Sequence, residues 1–474
     1  MQRSRIGVPV SGGSRWLYAI PVLAGALVTA LGYQGLNGQD AFDYLRIAEA
    51  WTAWWAGGTK PVMVEHPHGY PLMGALLGKL FGSELTGLRI ISLVGLMVIL
   101  AVVFGLLRRV FPEERVRVGP FVLLSVALSP FLLRYAMVVM SDVPAIALVL
   151  GSFAFTVRWV QHRRVAHGLL AVLFAAGALA FRLAVVPVIA VLGCWWMQAV
   201  LRWSGRTWMI VSFGGVAALV VAYAGGLGAT LGQEGPLADW SLLNFFRTEL
   251  HSDDGVLRYT FPNLLYVAGV VVHPGFLPMG LLLLPFVKRT DGDTLLARAA
   301  LTVVLGYLLF IAGMPFQNDR VLLMAQPFVA VLLFPAFGRA MAFLQAKGVE
   351  PVIAIVLFAL LQAGLFVRAT LPFIQQARVE RELARELNAI GAVSIYTHGM
   401  GAALGHYCPK AEVTELWYAP LGHFTAGAFV VVHPSNLEQQ WKGRPPATNW
   451  ERIQAQGIEV LRQRADGWTI GRIR

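Results

Sequence analysis

WLYAIPVLAGALVTALGYQGLNGQDAFDYLRIAEAWTAWWAGG, residues 16–58, joins two kinds of segment in one stretch. The first part, to about Leu36, is an apolar run close to the roughly 20 residues a helix needs to cross a bilayer. It follows a basic start, but no small-x-small cleavage site comes after it, so it reads as a retained membrane helix and not a secretory signal. The second part opens with Asp40 and Asp43 and carries Tyr44, Ile47, Trp51, Trp54 and Trp55 at three- and four-residue spacing. That spacing puts an apolar, aromatic stripe on one helix face, suited to lie in the membrane interface. Gly57-Gly58 ends the helix. Asp40 falls at its start, in line with Tyr44 and Ile47. An aspartate there is either an N-cap that complements the helix dipole or a carboxylate base at the bilayer surface, and spacing alone does not separate the two.

The rest of the chain is of the same kind. Of its 474 residues 57% are hydrophobic and only 14% charged, whereas an average soluble domain is about a quarter charged. The mean hydropathy is +0.63. These values describe an integral membrane protein, and the fourteen tryptophans fit the interfacial belt of one. The net charge of +12 sits in short basic clusters between apolar runs, which is the cytoplasmic-loop pattern and argues against nucleic acid as a partner. The two cysteines, Cys194 and Cys408, lie far apart and predict no structural disulfide.

Apolar runs of spanning length start near Trp16, Leu88, Gly119, Val143, Gly168, Ala184, Trp208, Asn263, Leu296, Val321 and Pro351, about eleven spans in all. Arg3, Arg5 and Arg15 precede the first. Basic pairs or clusters follow every even-numbered span, at Arg108-Arg109, Arg163-Arg164, Arg202 and Arg206, Lys288-Arg289, and Arg339 with Lys347. These loops are therefore expected in the cytoplasm with the N-terminus, and the opposite loops outside. The outer segments are 39–87, 134–142, the bend at Arg182, 233–260, and PFQNDR at 315–320.

After about residue 370 the character changes. QQARVERELARELNAI is a charged helical stretch; AVSIYTH, VTELWY and GAFVVVHP read as short strands, and IEVLRQRADGWTIGRI as a hairpin about Asp466-Gly467. The expected architecture is thus an all-α multi-pass membrane domain over 1–370, with interfacial helices in the first outer loop. A small α/β domain, 371–474, is expected on the outer face. No internal repeat of the kind found in many transporters is visible.

The outer segments hold the unusual chemistry. In VEHPHGYPLMGALLGKLFG, residues 64–82, two prolines hold Glu65, His66 and His68 on a stiff approach to a helix that begins near Tyr70. This is a polar turn, or a site for a metal or an acidic headgroup. Asp142, in RYAMVVMSDVPAIAL, is an ionisable group at a span end, where it lines a cavity or pairs with a cation such as Arg134. Arg182 and Arg320 stand at outer boundaries, against the positive-inside bias. With Lys60, Arg247 and Arg258 outside as well, they suit an anionic ligand, since guanidinium matches phosphate bidentately.

Asp40 four residues before Tyr44, HPHGYPLMGALLGKLFG at 66–82 and NDRVLLMAQPFVAVLL at 318–333 together give a pattern that resembles the GT-C superfamily of polyprenyl-phosphate-sugar-dependent glycosyltransferases. The nearest groups are the bacterial relatives of protein O-mannosyltransferases and the lipid A aminoarabinose transferases. The resemblance covers the whole membrane part, with SDVP and FRLAVVP as further matches. It implies an inverting transfer of a hexose or pentose, on the outer face of a bacterial inner membrane, from a polyprenyl-phosphate-linked sugar to a glycan, lipid or protein acceptor. Asp40 matches the family's first-loop catalytic aspartate and Asp142 its second acidic position near the metal or acceptor. Arg182 and Arg320 are the candidates for the donor phosphate. Asp43, Tyr44, Lys60, Glu65, His66, His68 and Tyr70 complete the candidate substrate-binding set. Many relatives carry an Asp-Glu pair where this chain has Asp40-Ala41, so a divalent metal ion, the one cofactor in view, is left open.

The chemistry is consistent with that reading on its own terms. A sugar on a lipid phosphate carries its leaving group with it. Inversion then needs one base for the acceptor hydroxyl and cations for the charge growing on the departing phosphate. The competing class is a transporter or lipid flippase, which would place its charges inside the spans and break helices in matching halves. A non-catalytic scaffold is the third reading.

Overall fold

A computed structural model describes residues 15–61, 66–201, 240–252, 255–417 and 419–474. Among them six helices are long and apolar enough to cross a membrane, and a bent pair makes a seventh. The six are α4 (Glu84–Val110), α7 (Asp142–His162), the segment Leu183–Leu201 ending in α9 (Val186–Leu201), α10 (Leu295–Ala312), α12 (Gln326–Ala346) and α13 (Pro351–Ala389). Three shorter apolar helical segments, Trp16–Ala30 with α1 (Ala19–Ala30), α8 (Val165–Phe181) and Asn263–Val272, stand where three further spans are predicted. The predicted span near Trp208 lies outside the described residues. The molecule is a multi-span membrane protein, mostly helical.

The bent pair is α5 (Arg115–Val122), a π-helical turn Leu123–Ala127 and α6 (Pro130–Ala136), with 64° between its halves. Pro130 has no N–H to continue a ladder, and the π turn already displaces the hydrogen bonds before it. The bend brings the segment 134–142 across the end of the bundle that also carries Arg182 and Arg320. There Gly95 of α4 permits a close approach: a Cβ on it would sit 2.8 Å from Pro144 in the first turn of α7. The N-terminus of α7, with Asp142, is seated by that contact.

The first outer loop forms α2 (Gly38–Trp55) and α3 (Gly69–Phe81). α2 departs from the interfacial expectation over its first half. Ala41, Phe42, Tyr44, Leu45 and Ala48 are buried in a cluster with Tyr70, Leu88 and Val139. α3 and α4 cover it from one side, and from the C-terminal region Tyr407 meets Phe42 edge to face at 5.9 Å. Only the tryptophan end stays at the edge, with Trp54 exposed. Gly69 presses on the end of α8, where a Cβ would lie 2.5 Å from the Ala180 carbonyl oxygen. The HPHGYP segment is thereby fixed beside Arg182.

Helix α13 runs without a break from Pro351 to Ala389, through residue 370 and with Pro372 inside it. Its far end packs Leu383, Ala384 and Leu387 against Ile395, Val431 and Ile470 of a sheet. A two-stranded hairpin, β1 (Glu249–Ser252) and β2 (Gly255–Arg258), rises from the long outer loop. The C-terminal strands are β3 (Ser394–Thr397), β4 (Glu412–Glu415), β5 (Phe429–Val432), β6 (Ile458–Gln463) and β7 (Thr469–Ile473), in the order β4-β3-β5-β7-β6. β3 is parallel to β4 and β5, while β7 pairs antiparallel with β5 and β6. The anticipated strands and closing hairpin are all present.

Candidate active site

Four helix ends meet beneath the C-terminal domain. Asp40 lies in the first turn of α2, whose N-cap position is Asn37, so its carboxylate is not the cap that spacing allowed. It accepts a 2.6 Å hydrogen bond from Arg320 Nη1. Arg320 belongs to α11 (Asp319–Leu322), where the Asn318 side chain accepts the Arg320 N–H at 3.0 Å and orients the turn. Asp142 opens α7, a position where the helix dipole favours a negative charge. Its Oδ2 accepts from Arg182 Nη1 at 3.0 Å, and its Oδ1 stands 3.7 Å from Arg320 Nε. Arg182 is the C-cap residue of α8, where a cation is favoured for the same reason. The result is one alternating array, Asp40–Arg320–Asp142–Arg182.

His66 extends the array. Its Nε2 is 3.9 Å from Asp40 Oδ1, and its ring lies over Tyr44 at 4.8 Å. Tyr44 in turn bonds Ser141 Oγ at 2.8 Å, tying α2 to the residue before Asp142. The exposures of the two acids separate their roles. The Asp142 side chain is 3% exposed and clamped between guanidiniums, whereas that of Asp40 is 30% exposed and can receive a proton from a bound molecule. Burial alone would raise the Asp40 carboxyl, but the Arg320 guanidinium, helped by His66 and Arg182, outweighs it and holds the carboxyl below its ordinary value.

Arg182 and Arg320 line a cavity of about 1060 Å³ between the start of α9, the end of α10 and the C-terminal sheet region. Asp40 is joined to its wall through Arg320. The membrane side of the cavity is apolar, with Leu183, Val186, Phe310 and Met314, and the opposite side is formed by loops of the small domain.

Other candidates fall elsewhere. Asp43 pairs with Arg46 at 2.9 Å, and Lys60 stands exposed over Trp54 at 5.9 Å, away from the array. His68 meets the Trp51 ring at 5.6 Å. The Tyr70 hydroxyl bonds Ser92 Oγ at 2.9 Å and the Leu88 carbonyl at 3.1 Å, inside the bundle. Glu65 lies outside the described residues. Arg134 is not the partner of Asp142. It donates to Asp319 at 2.6 Å within a cage of Phe131, Tyr135 and Phe373, and Tyr135 donates to the same carboxylate at 2.7 Å. The residue before Arg320 is thus anchored from behind. Asp319 and Ser141 were not singled out in the sequence, although each adjoins a residue that was.

The described residues do not fit a divalent ion. No group of three or more His, Cys, Asp or Glu converges among them, and the carboxylates of Asp40 and Asp142 already face guanidinium groups.

Residues 65–224 match the family described as dolichyl-phosphate-mannose-protein mannosyltransferase. No curated protein matches the chain significantly. Among solved structures the chain is similar to ArnT from Cupriavidus metallidurans. The form bound to undecaprenyl phosphate is 14% identical with a TM-score of 0.55, covering 96% of this chain and 97% of that one. The apo form is also 14% identical, with a TM-score of 0.56 and coverage of 95% and 97%. The fold is the one that the GT-C resemblance implies.

Proposed function

We propose that the protein is an inverting glycosyltransferase that moves a hexose or pentose from a polyprenyl phosphate to an acceptor hydroxyl on the outer face of a bacterial inner membrane. The observation that carries this reading is the Asp40–Arg320–Asp142–Arg182 array at the wall of the cavity between membrane and C-terminal domain. The reading takes the N-terminus as cytoplasmic, about eleven crossings over 1–370, and residues 371–474 as an extracytoplasmic domain. The similarity to a structure bound to undecaprenyl phosphate supports a lipid-phosphate donor.

In this mechanism Asp40 takes the acceptor O–H proton as the oxygen attacks the anomeric carbon from the face opposite the phosphate. The new C–O bond forms while the bond from the anomeric carbon to the phosphate oxygen breaks. The leaving polyprenyl phosphate keeps the electron pair, and Arg320 and Arg182 hold its added negative charge. Asp142 keeps the two guanidiniums in place before the donor arrives. On the other side His66, its ring against Tyr44, stands 3.9 Å from the Asp40 carboxylate. No step is routed through a metal.

The test offers membranes containing the protein a panel of labelled polyprenyl-phosphate sugars. Consumption of one donor, with the label recovered on an acceptor, is expected. If no donor is consumed while labelled lipid crosses the bilayer, the flippase reading replaces this one.

A pH profile checks the state of the base. Asp40 works deprotonated, and its depressed carboxyl stays ionised as pH falls through the ordinary aspartate range near about 4. The kcat/KM for transfer, which reports the free enzyme, is therefore expected to stay level from pH 7 to pH 5 and to fall only below that range. A half-loss near pH 6 would mean that Asp40 is not the titrating base.

A further inference from the structure

The cavity has a second wall that the transfer mechanism does not use. Where the membrane side supplies Arg182 and Arg320, the C-terminal domain supplies rings. His398, Trp417 and Trp441 touch one another, with centroids 5.3 Å apart for His398–Trp417, 4.8 Å for His398–Trp441 and 4.7 Å for Trp417–Trp441. A second pair, His433 and Trp468, meets edge to face at 5.7 Å on the same lining. Three amides, Gln376, Asn436 and Gln440, stand among the rings. Among the described residues, no Asp, Glu, Lys or Arg after residue 371 reaches this lining.

Two features argue against plain core packing. The Nδ1 atoms of His398 and His433 are buried, and neither has a hydrogen-bond partner among the described residues. An unpartnered buried polar atom is costly, and a bound polar group would relieve that cost. In addition, burial pushes the His398 imidazole down to about 4, so at neutral pH it is uncharged and offers one donor and one acceptor. The wall therefore presents rings, amides and the neutral imidazole of His398.

We infer that this wall is the acceptor subsite of the transferase and that it takes a neutral saccharide. A sugar ring has an apolar C–H face that lies against an aromatic ring, while its hydroxyls need donors and acceptors around the rim, which is the composition of this wall. Among the described lining residues the cations are Arg182 and Arg320, which the transfer mechanism gives to the donor phosphate, so an acceptor that brought its own phosphates, such as a lipid A headgroup, would have to share them. The inference rests on the transferase reading for the word acceptor. It does not rest on it for the binding of sugar.

The experiment uses the full chain in lipid nanodiscs. Neutral manno-, malto- and galacto-oligosaccharides, a serine-rich peptide and lipid A are each titrated against tryptophan fluorescence without donor. The same compounds are then offered as acceptors with the labelled polyprenyl-phosphate sugar that the protein consumes. At least one neutral oligosaccharide should bind and accept label. Trp417→Ala should weaken its binding and raise its KM at least tenfold, while the KM for the donor stays within twofold, and Trp417→Phe should recover most of the loss. Asn436→Ala, at an exposed position, should raise the acceptor KM severalfold without lowering Tm, so the outcome does not hang on the folding of one tryptophan variant. The inference is overturned if no oligosaccharide binds, if the label goes only to peptide or lipid A, or if Trp417→Ala changes both KM values alike. Donor consumption without oligosaccharide binding leaves the transferase and removes the subsite. Binding without donor consumption does the reverse.

Discussion

Replacing Asp40 with asparagine is expected to lower sugar transfer by roughly a thousandfold, about 4 kcal/mol of barrier, within the range a positioned general base contributes. Asparagine has nearly the same shape and still accepts a hydrogen bond from Arg320, but it cannot take the acceptor proton. The fold should survive, because the Asp40 side chain is 30% exposed and Arg320 keeps Asp142 as a second anion 3.7 Å away. The measurement is single-turnover transfer with the consumed donor, beside Tm and donor binding on the same preparation. Lost turnover with donor binding retained identifies the base. Retained turnover would return Asp40 to a structural part in α2. Asp142→Asn should behave differently: its side chain is 3% exposed and lies against Arg182, so Tm and donor KM should both suffer along with turnover.

How far the sequence revealed this site depends on what kind of signal each residue leaves. Asp40, Asp142, Arg182 and Arg320 stood out because an ionisable group beside an apolar span is rare and costly. That rule says which residues are unusual but not which meet. The pairing of Arg320 with Asp40 joins residues 280 apart in the chain and depends on the seating of α11. The same gap explains Arg134. It is seven and eight residues from Ser141 and Asp142, the natural local guess, yet the 64° bend after α5 turns it toward α13 and Asp319. The period of α2 is legible in the sequence, but the stripe does not tell which of its residues face other parts of the chain: Tyr44 is buried beside Tyr70, while Trp54 is exposed. The short strands of the C-terminal domain were legible from β-branched runs between turn residues. Its tryptophans were not, since Trp417, Trp441 and Trp468 come together only after β4, β5 and β7 share a sheet.

Arg320 is the residue on which the two halves of the reaction meet, and Arg320→Ala should cut kcat/KM by about a thousandfold or more. In the free protein its guanidinium holds Asp40 at 2.6 Å and faces Asp142 at 3.7 Å. A donor phosphate entering the cavity competes for the same N–H groups. As Arg320 turns part of its charge to the phosphate, Asp40 loses the partner that depressed its carboxyl, and its affinity for a proton rises just when the acceptor hydroxyl must lose one. Removing the guanidinium therefore does two separable things. It takes away charge stabilisation of the leaving group, which lowers turnover at every pH. It also lets burial act on Asp40 with its largest opposing charge gone, which moves the acid limb of kcat/KM to higher pH. Arg320→Lys keeps a charge but as a point donor that cannot span both carboxylates, so it should restore most of the pH limb and only part of the turnover. The pH profile of the three proteins distinguishes this coupling from simple loss of a phosphate contact, which would lower the rate and leave the limb where it was.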